Sequence, residues 1–189
     1  MGYYDREANV QEYIKMAQGY DGRVLVEVLK RHLPLGSRVL ELGMGPGKDL
    51  DLLSQDYAVT GSDSSPLFLD LYRNEHPDAE LLRLDAVTID TVRTFDGIYS
   101  NKVLIHLDPS ELQGSFRGQA QVLNPRGWAL HSFWYGDKAA EEHHGLRFYY
   151  YTEDDLTRMV GDLFEVVEMA RYRETDDDDS IYLLMRRRE

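Results

Sequence analysis

A chain of 189 residues, 42% hydrophobic and 29% charged, has the size and composition of one globular domain with a substantial core. Its formal charge of −13 repels phosphate backbones, which excludes a general nucleic-acid binder. Cysteine is absent, so no disulfide framework, thiolate metal site or cysteine nucleophile exists; with no apolar stretch of membrane-spanning length and no signal-peptide pattern, the expectation is a cytoplasmic protein without a membrane anchor.

Apolar runs alternate with helical patterns along the chain, as in a parallel sheet covered by helices on both faces. Residues 6–18 read as a first helix, carrying Val10, Tyr13, Ile14 and Met16. A second spans 22–33 with Val24, Leu25, Val28 and Leu29 on one face, and Pro34 stops it. Strand one is 38–42, followed by a glycine turn and a helix bearing Leu50, Leu52 and Leu53. Strand two is 57–62, after which Ser65 as N-cap and Pro66 in the first turn start another helix. Strand three is 81–84, a brief helix is expected near 88–94, and strand four is 95–99. Asp108 with Glu111 has the form of a capping box opening a long helix. The turn 124–127 leads into strand five, 128–134, and the stretch 135–151 reads as irregular. Thr152 with Asp155 caps a helix to about 160, and the runs 164–172 and 181–185 form an antiparallel hairpin around the acidic loop 176–179.

The most informative segment is Glu41-Leu42-Gly43-Met44-Gly45-Pro46-Gly47. Glycines at a strand-to-helix junction permit positive φ and let a ligand lie against bare backbone, while the helix start offers unpaired N–H groups. Asp63 stands at the end of strand two, where a carboxylate can take both hydroxyls of a ribose; Asp85, at the end of strand three, can accept from an adenine amino group. Ligands of open α/β sheets bind beyond the carboxyl ends of the strands, so these positions converge on one crevice.

With these residues in place the chain resembles the class I S-adenosylmethionine-dependent methyltransferases, over nearly its whole length. The matching segments are 41–47, Gly61-Ser62-Asp63-Ser64, Leu84-Asp85-Ala86, residues 95–107 and the Asn124-Pro125-Arg126-Gly127 turn. The resemblance implies a Rossmann-like α/β fold: a doubly wound seven-stranded sheet, mostly parallel, with an antiparallel terminal strand from the closing hairpin. It implies S-adenosyl-L-methionine as cofactor. Glu41, Gly43, Met44, Gly45 and Gly47 would hold its methionine portion, Asp63 the ribose, Ser64 the adenine flank, and Asp85 with Ala86 the adenine edge. The segment Ser100-Asn101-Lys102 would present backbone carbonyls to its ammonium group.

Methyl transfer from a sulfonium chiefly requires alignment and exclusion of water, and a base only where the acceptor must lose a proton early. His106, just beyond strand four, is the candidate base, whereas His131, on strand five beside Phe133, reads as structural. Tyr13, Tyr20, Trp134 and Tyr149 are the candidate acceptor-pocket aromatics; residues 1–22 and 135–151 are the candidate lid of a single domain. The paired acids and histidines at 141–144 and the acidic loop read as solvated rather than metal-binding. The expected acceptor is a small molecule. A methyltransferase-like binding protein without activity is the alternative.

Overall fold

The computed structural model describes residues 3–189; Met1 and Gly2, part of the expected lid, lie outside the described residues. The strands are β1 (Arg38–Leu42), β2 (Ala58–Asp63), β3 (Leu81–Arg83), β4 (Phe95–Asn101), β5 (Leu123–Tyr135), β6 (Glu141–His143), β7 (Leu146–Phe148), β8 (Tyr150–Tyr151), β9 (Phe164–Tyr172) and β10 (Ser180–Arg187). The helices are α1 (Glu7–Met16), α2 (Arg23–Lys30), α3 (Lys48–Leu53), α4 (Pro66–Glu75), α5 (Pro109–Val122) and α6 (Glu153–Val160).

The main sheet runs β3-β2-β1-β4-β5-β10-β9, the expected seven strands, with β10 antiparallel to both neighbours. This order places β1 and β4 side by side at the point where the chain reverses its direction of winding, where open sheets bind ligands. Because side chains alternate across a strand, β1 feeds both layers: Leu40 and Leu42 join the core under α5 and α6, and Val39 joins the core under α2. Asp108 closes the expected capping box on α5, accepting from the amides of Ser110 and Glu111, and Thr152 with Asp155 does the same for α6. Each such cap stabilises its helix by about 1 kcal/mol.

Several expectations are corrected. On α2 the buried set is Leu25, Val26, Val28 and Leu29, while Val24 is exposed; it falls at the margin of that stripe, in the first turn of the helix. No helix forms near 88–94. That segment is rich in β-branched Val87, Thr88, Ile89, Thr91 and Val92, which lose side-chain freedom in a helix. It crosses beneath α5 instead, so close that a Cβ on Gly118 would stand 3.0 Å from the Thr88 carbonyl. Ser65 holds the N-cap position of α4, but its hydroxyl donates to the Tyr4 carbonyl (2.7 Å) and not to the helix. The stretch 135–151 is ordered: β6 and β7 form a two-stranded hairpin, and β8 adds beside the end of β5.

The segments expected to form a lid pack at the carboxyl edge of the sheet. Tyr4 and Tyr13 meet Phe68 of α4 at ring separations of 5.4 and 5.7 Å. The β6–β7 hairpin is tied to the turn after β4, where the Tyr149 amide donates to the Ile105 carbonyl (2.8 Å). No described helix is long and apolar enough to cross a membrane.

Candidate active site

The loop between β1 and α3 is built by its glycines. Gly43, Gly45 and Gly47 have φ of +65°, +50° and +86°, a region that costs an L-residue roughly 1–2 kcal/mol. The three face different surroundings. A Cβ on Gly43 would lie 2.5 Å from the Val103 side chain and one on Gly47 would lie 2.2 Å from the Tyr72 ring. At Gly45 the nearest atom would be in the Tyr13 ring, at 3.4 Å. The outer glycines therefore let the loop pack on protein, and the middle one keeps its face clear beneath Tyr13. Met44 is buried and its amide donates to the Ser62 carbonyl (2.8 Å), which fastens the loop to β2.

Asp63 ends β2 and closes on this loop. One carboxylate oxygen accepts from the Gly45 amide (3.0 Å) and the other from the Ser65 amide (2.8 Å). Burial pushes its pKa above the ordinary aspartate value, opposed by these amide donors. Ser64 is exposed and its carbonyl accepts from Arg83. Asp85 is exposed beyond β3 and accepts from the Val87 amide (2.7 Å), an Asx-turn, with Ala86 half-buried beside it.

Glu41 is 3% exposed, and its Oε2 has no hydrogen-bond partner. Burial raises its pKa well above 4.5, reinforced by Asp49, Asp63 and Asp51. A buried acceptor without a partner is rare in a folded protein and calls for a structural or functional reason. A carboxyl with a raised folded pKa stabilises the protein fully below its unfolded pKa, and that contribution is lost as pH rises through the folded value. Glu41→Gln should therefore gain on the parent as pH increases, by about 3–6 °C in melting temperature at pH 8. Thermal melts from pH 5 to pH 9 check this, and parallel curves across the range would contradict it.

Sequence reasoning missed the knot beside Glu41. Asp49, in the first turn of α3, is buried and accepts from the Gly22 amide (2.6 Å), the Tyr99 hydroxyl (2.7 Å) and the Asn101 amide (3.1 Å). It joins the segment before α2, the glycine loop and the end of β4. The only signal in the sequence was an acid in the first turn after a glycine loop, which a helix dipole explains equally well.

Asn101 also accepts from the Ser132 hydroxyl (2.6 Å), which in turn accepts from the Lys102 amide (2.9 Å). The Lys102 ammonium turns toward β5 and β10, donating to the Phe133 carbonyl (2.8 Å) and Ser180 hydroxyl (2.6 Å), 3.6 Å from the centre of the Trp134 ring. Burial lowers its pKa to about 7. Trp134 thus serves as a floor for Lys102.

His106 lies in the 3-10 turn Leu104–His106, with Nδ1 2.8 Å from the Arg147 carbonyl and its ring 4.8 Å from Phe148. A carbonyl at that distance requires Nδ1 to carry the proton, which leaves the lone pair on Nε2. Burial lowers its pKa below 6.5. His131 is fully buried between Ser100 (2.7 Å) and Gln119 (2.8 Å), with its pKa pushed down to about 3. It is a neutral core residue. Tyr20, half-exposed, lines a cleft of about 200 Å³ on the far side of Asn101.

A glycine loop thus follows β1, Asp63 ends β2 and Asp85 stands just beyond β3. Residues 39–127 match the methyltransferase domain family. The trans-aconitate 2-methyltransferase of Escherichia coli is 36% identical over 111 residues. That match covers 56% of this chain and 42% of the relative, so the chain spans less than half the length of the curated relatives it matches. A Clostridium acetobutylicum S-adenosylmethionine-dependent methyltransferase superposes with a TM-score of 0.75 at 13% identity, covering 97% of this chain and 100% of that one. The Burkholderia thailandensis 1,6-didemethyltoxoflavin-N1-methyltransferase, solved with 1,6-didemethyltoxoflavin and S-adenosylhomocysteine, gives 0.74 at 19% identity, covering 100% and 92%. Residues 39–127 thus resemble a methyltransferase domain, and the chain shares the fold of S-adenosylmethionine-dependent methyltransferases.

Proposed function

We propose that the chain is a methyltransferase that binds S-adenosyl-L-methionine at the β1–β2 edge and methylates a small-molecule acceptor. The observation that carries this is the buried Asp63 carboxylate closed on the Gly45 amide, beside a Glu41 oxygen with no partner. The residues fit the cofactor. Its ammonium and sulfonium charges suit the cluster of Glu41, Asp49 and Asp63, and Gly45 is the one glycine of the loop not packed tightly on protein, with only the Tyr13 ring over it.

When bound, the cofactor supplies a methyl carbon on a sulfonium that leaves as a neutral thioether. Gly43, Met44, Gly45 and Gly47 would hold its methionine portion with Glu41, and the carbonyls of Asn101 and Lys102 would meet its ammonium. Asp63 and Ser64 would bind the ribose and flank the adenine, with Asp85 and Ala86 at the adenine edge. Tyr13, stacked over Gly45, and the hairpin around Tyr149 would exclude water. His106 is oriented by the Arg147 carbonyl with Nε2 free to take a proton from an acceptor that must lose one. Residues 1–189 would act as one domain, with 1–22 and 135–151 as its cover. A cytoplasmic setting accords with a chain that has no cysteine, and a surface of charge −13 disfavours nucleic acid as acceptor. Titration calorimetry with S-adenosylmethionine is the test, and lack of binding would remove the proposal.

A further inference from the structure

A cleft of about 200 Å³ adjoins Asn101 and is otherwise lined by residues not assigned to the cofactor. It lies between the segment joining α1 to α2 and the end of β9, and Asn101 forms its boundary with the glycine-loop side. Tyr20 gives one wall; Tyr172 and Glu174 give the opposite one. Its volume is below the roughly 300–1,000 Å³ of sites for drug-sized ligands, so it admits only a small molecule.

The charges facing it are unequal. Asp21 is matched by Arg23 (3.4 Å), and Arg173 is matched by Asp177 (3.3 Å). The Lys102 ammonium donates to Phe133 and Ser180, 5.5 Å from the centre of the Tyr172 ring, and feels Glu174 only at longer range, while the Lys48 ammonium is held by the carbonyls of Ala17 and Tyr20. Glu174, half-buried, has no ion pair among the described residues. Next to it the Tyr172 hydroxyl is buried without a hydrogen-bond partner. A carboxylate with no direct ion pair, a buried hydroxyl beside it and a half-exposed aromatic ring are the elements that recognise an ammonium group on an apolar body.

We propose that this cleft is the acceptor subsite and that the acceptor is a small amine, held by Glu174 and Tyr172 against the Tyr20 ring. The inference rests on the methyltransferase reading. It departs from the Escherichia coli relative, which is named for trans-aconitate, a tricarboxylate that Glu174 would repel. The bound ammonium first gives up a proton to water, which frees the nitrogen lone pair; that pair then forms the N–C bond while the S–C pair stays on sulfur, and Glu174 faces the positive charge of the methylated ammonium.

A matched pair of probes tests this: 2-phenylethylamine and 3-phenylpropanoate, similar in shape and opposite in charge, titrated into the full chain saturated with S-adenosylhomocysteine. The amine should bind at least tenfold more tightly than the carboxylate, and Glu174→Gln should remove that preference while leaving S-adenosylhomocysteine affinity unchanged. No binding of the amine, equal or tighter binding of the carboxylate, an unaltered preference in Glu174→Gln, or methylation of trans-aconitate would overturn the amine subsite. Failure of S-adenosylhomocysteine itself to bind would instead overturn the methyltransferase reading beneath it.

Discussion

Asp63→Ala should weaken S-adenosylmethionine binding by about 100-fold or more and leave a folded protein. A carboxylate that receives two ribose hydroxyls makes two charge-assisted hydrogen bonds, each contributing about 1.5–3 kcal/mol, and 100-fold corresponds to about 2.7 kcal/mol. The same carboxylate now accepts from Gly45 and Ser65, so its loss leaves two amides short of a partner. That cost is offset in part because a buried group with a raised pKa is also removed. Stability should therefore fall less than affinity. Calorimetry with S-adenosylhomocysteine beside a thermal melt separates the two, and unchanged affinity in a natively melting variant would take Asp63 out of the ribose site.

Gly47→Ala should act in the opposite proportion. At φ +86° an alanine carries left-handed strain, and its Cβ would stand 2.2 Å from the Tyr72 ring. Tyr72 cannot swing aside cheaply, since its hydroxyl donates to Asp51 (2.6 Å) and its ring stacks on His76 at 4.3 Å. Strain and overpacking together should cost on the order of 3 kcal/mol, or about 6–12 °C in melting temperature for a chain of this length. Gly45→Ala meets only Tyr13, at 3.4 Å, so it should lose less stability and more cofactor affinity. Melting curves and cofactor titrations of the two variants side by side check the contrast. Equal stability losses would show that the loop is not divided into a packed face and a ligand face.

What could be read from the sequence was whatever a short segment decides alone. Three glycines after an apolar run fix a strand-to-helix turn, and Asp108-Pro109-Ser110-Glu111 fixes a helix start, because both depend on neighbours in the chain. The mostly parallel sheet followed from the alternation of elements and the closing hairpin from the last two apolar runs, whereas the strand order is given by the structure. Contacts brought from several elements were not legible. Asp49 ties Gly22, before α2, to Tyr99 and Asn101 of β4, and no local pattern announces that meeting. The Lys102 side chain leaves the cofactor edge for β5 and β10, a direction set by its φ of +56° and by Trp134 beneath it. The segment 88–94 was misread because polar residues in a helical rhythm hid a run of β-branched ones, which the overlying α5 holds in irregular form.

On the proposed reading, Glu41 and Asp63 form a site that is costly without its ligand: one buried acid has an unpaired oxygen and the other is held by backbone amides. A stabilising Glu41→Gln that binds cofactor less well would be the expected trade of stability against function. The most direct test of the account is titration calorimetry of the unaltered chain with S-adenosylmethionine and S-adenosylhomocysteine. The account predicts saturable binding of both at a single site, lost together in Asp63→Ala; absence of heat and of thermal stabilisation with either ligand would contradict it.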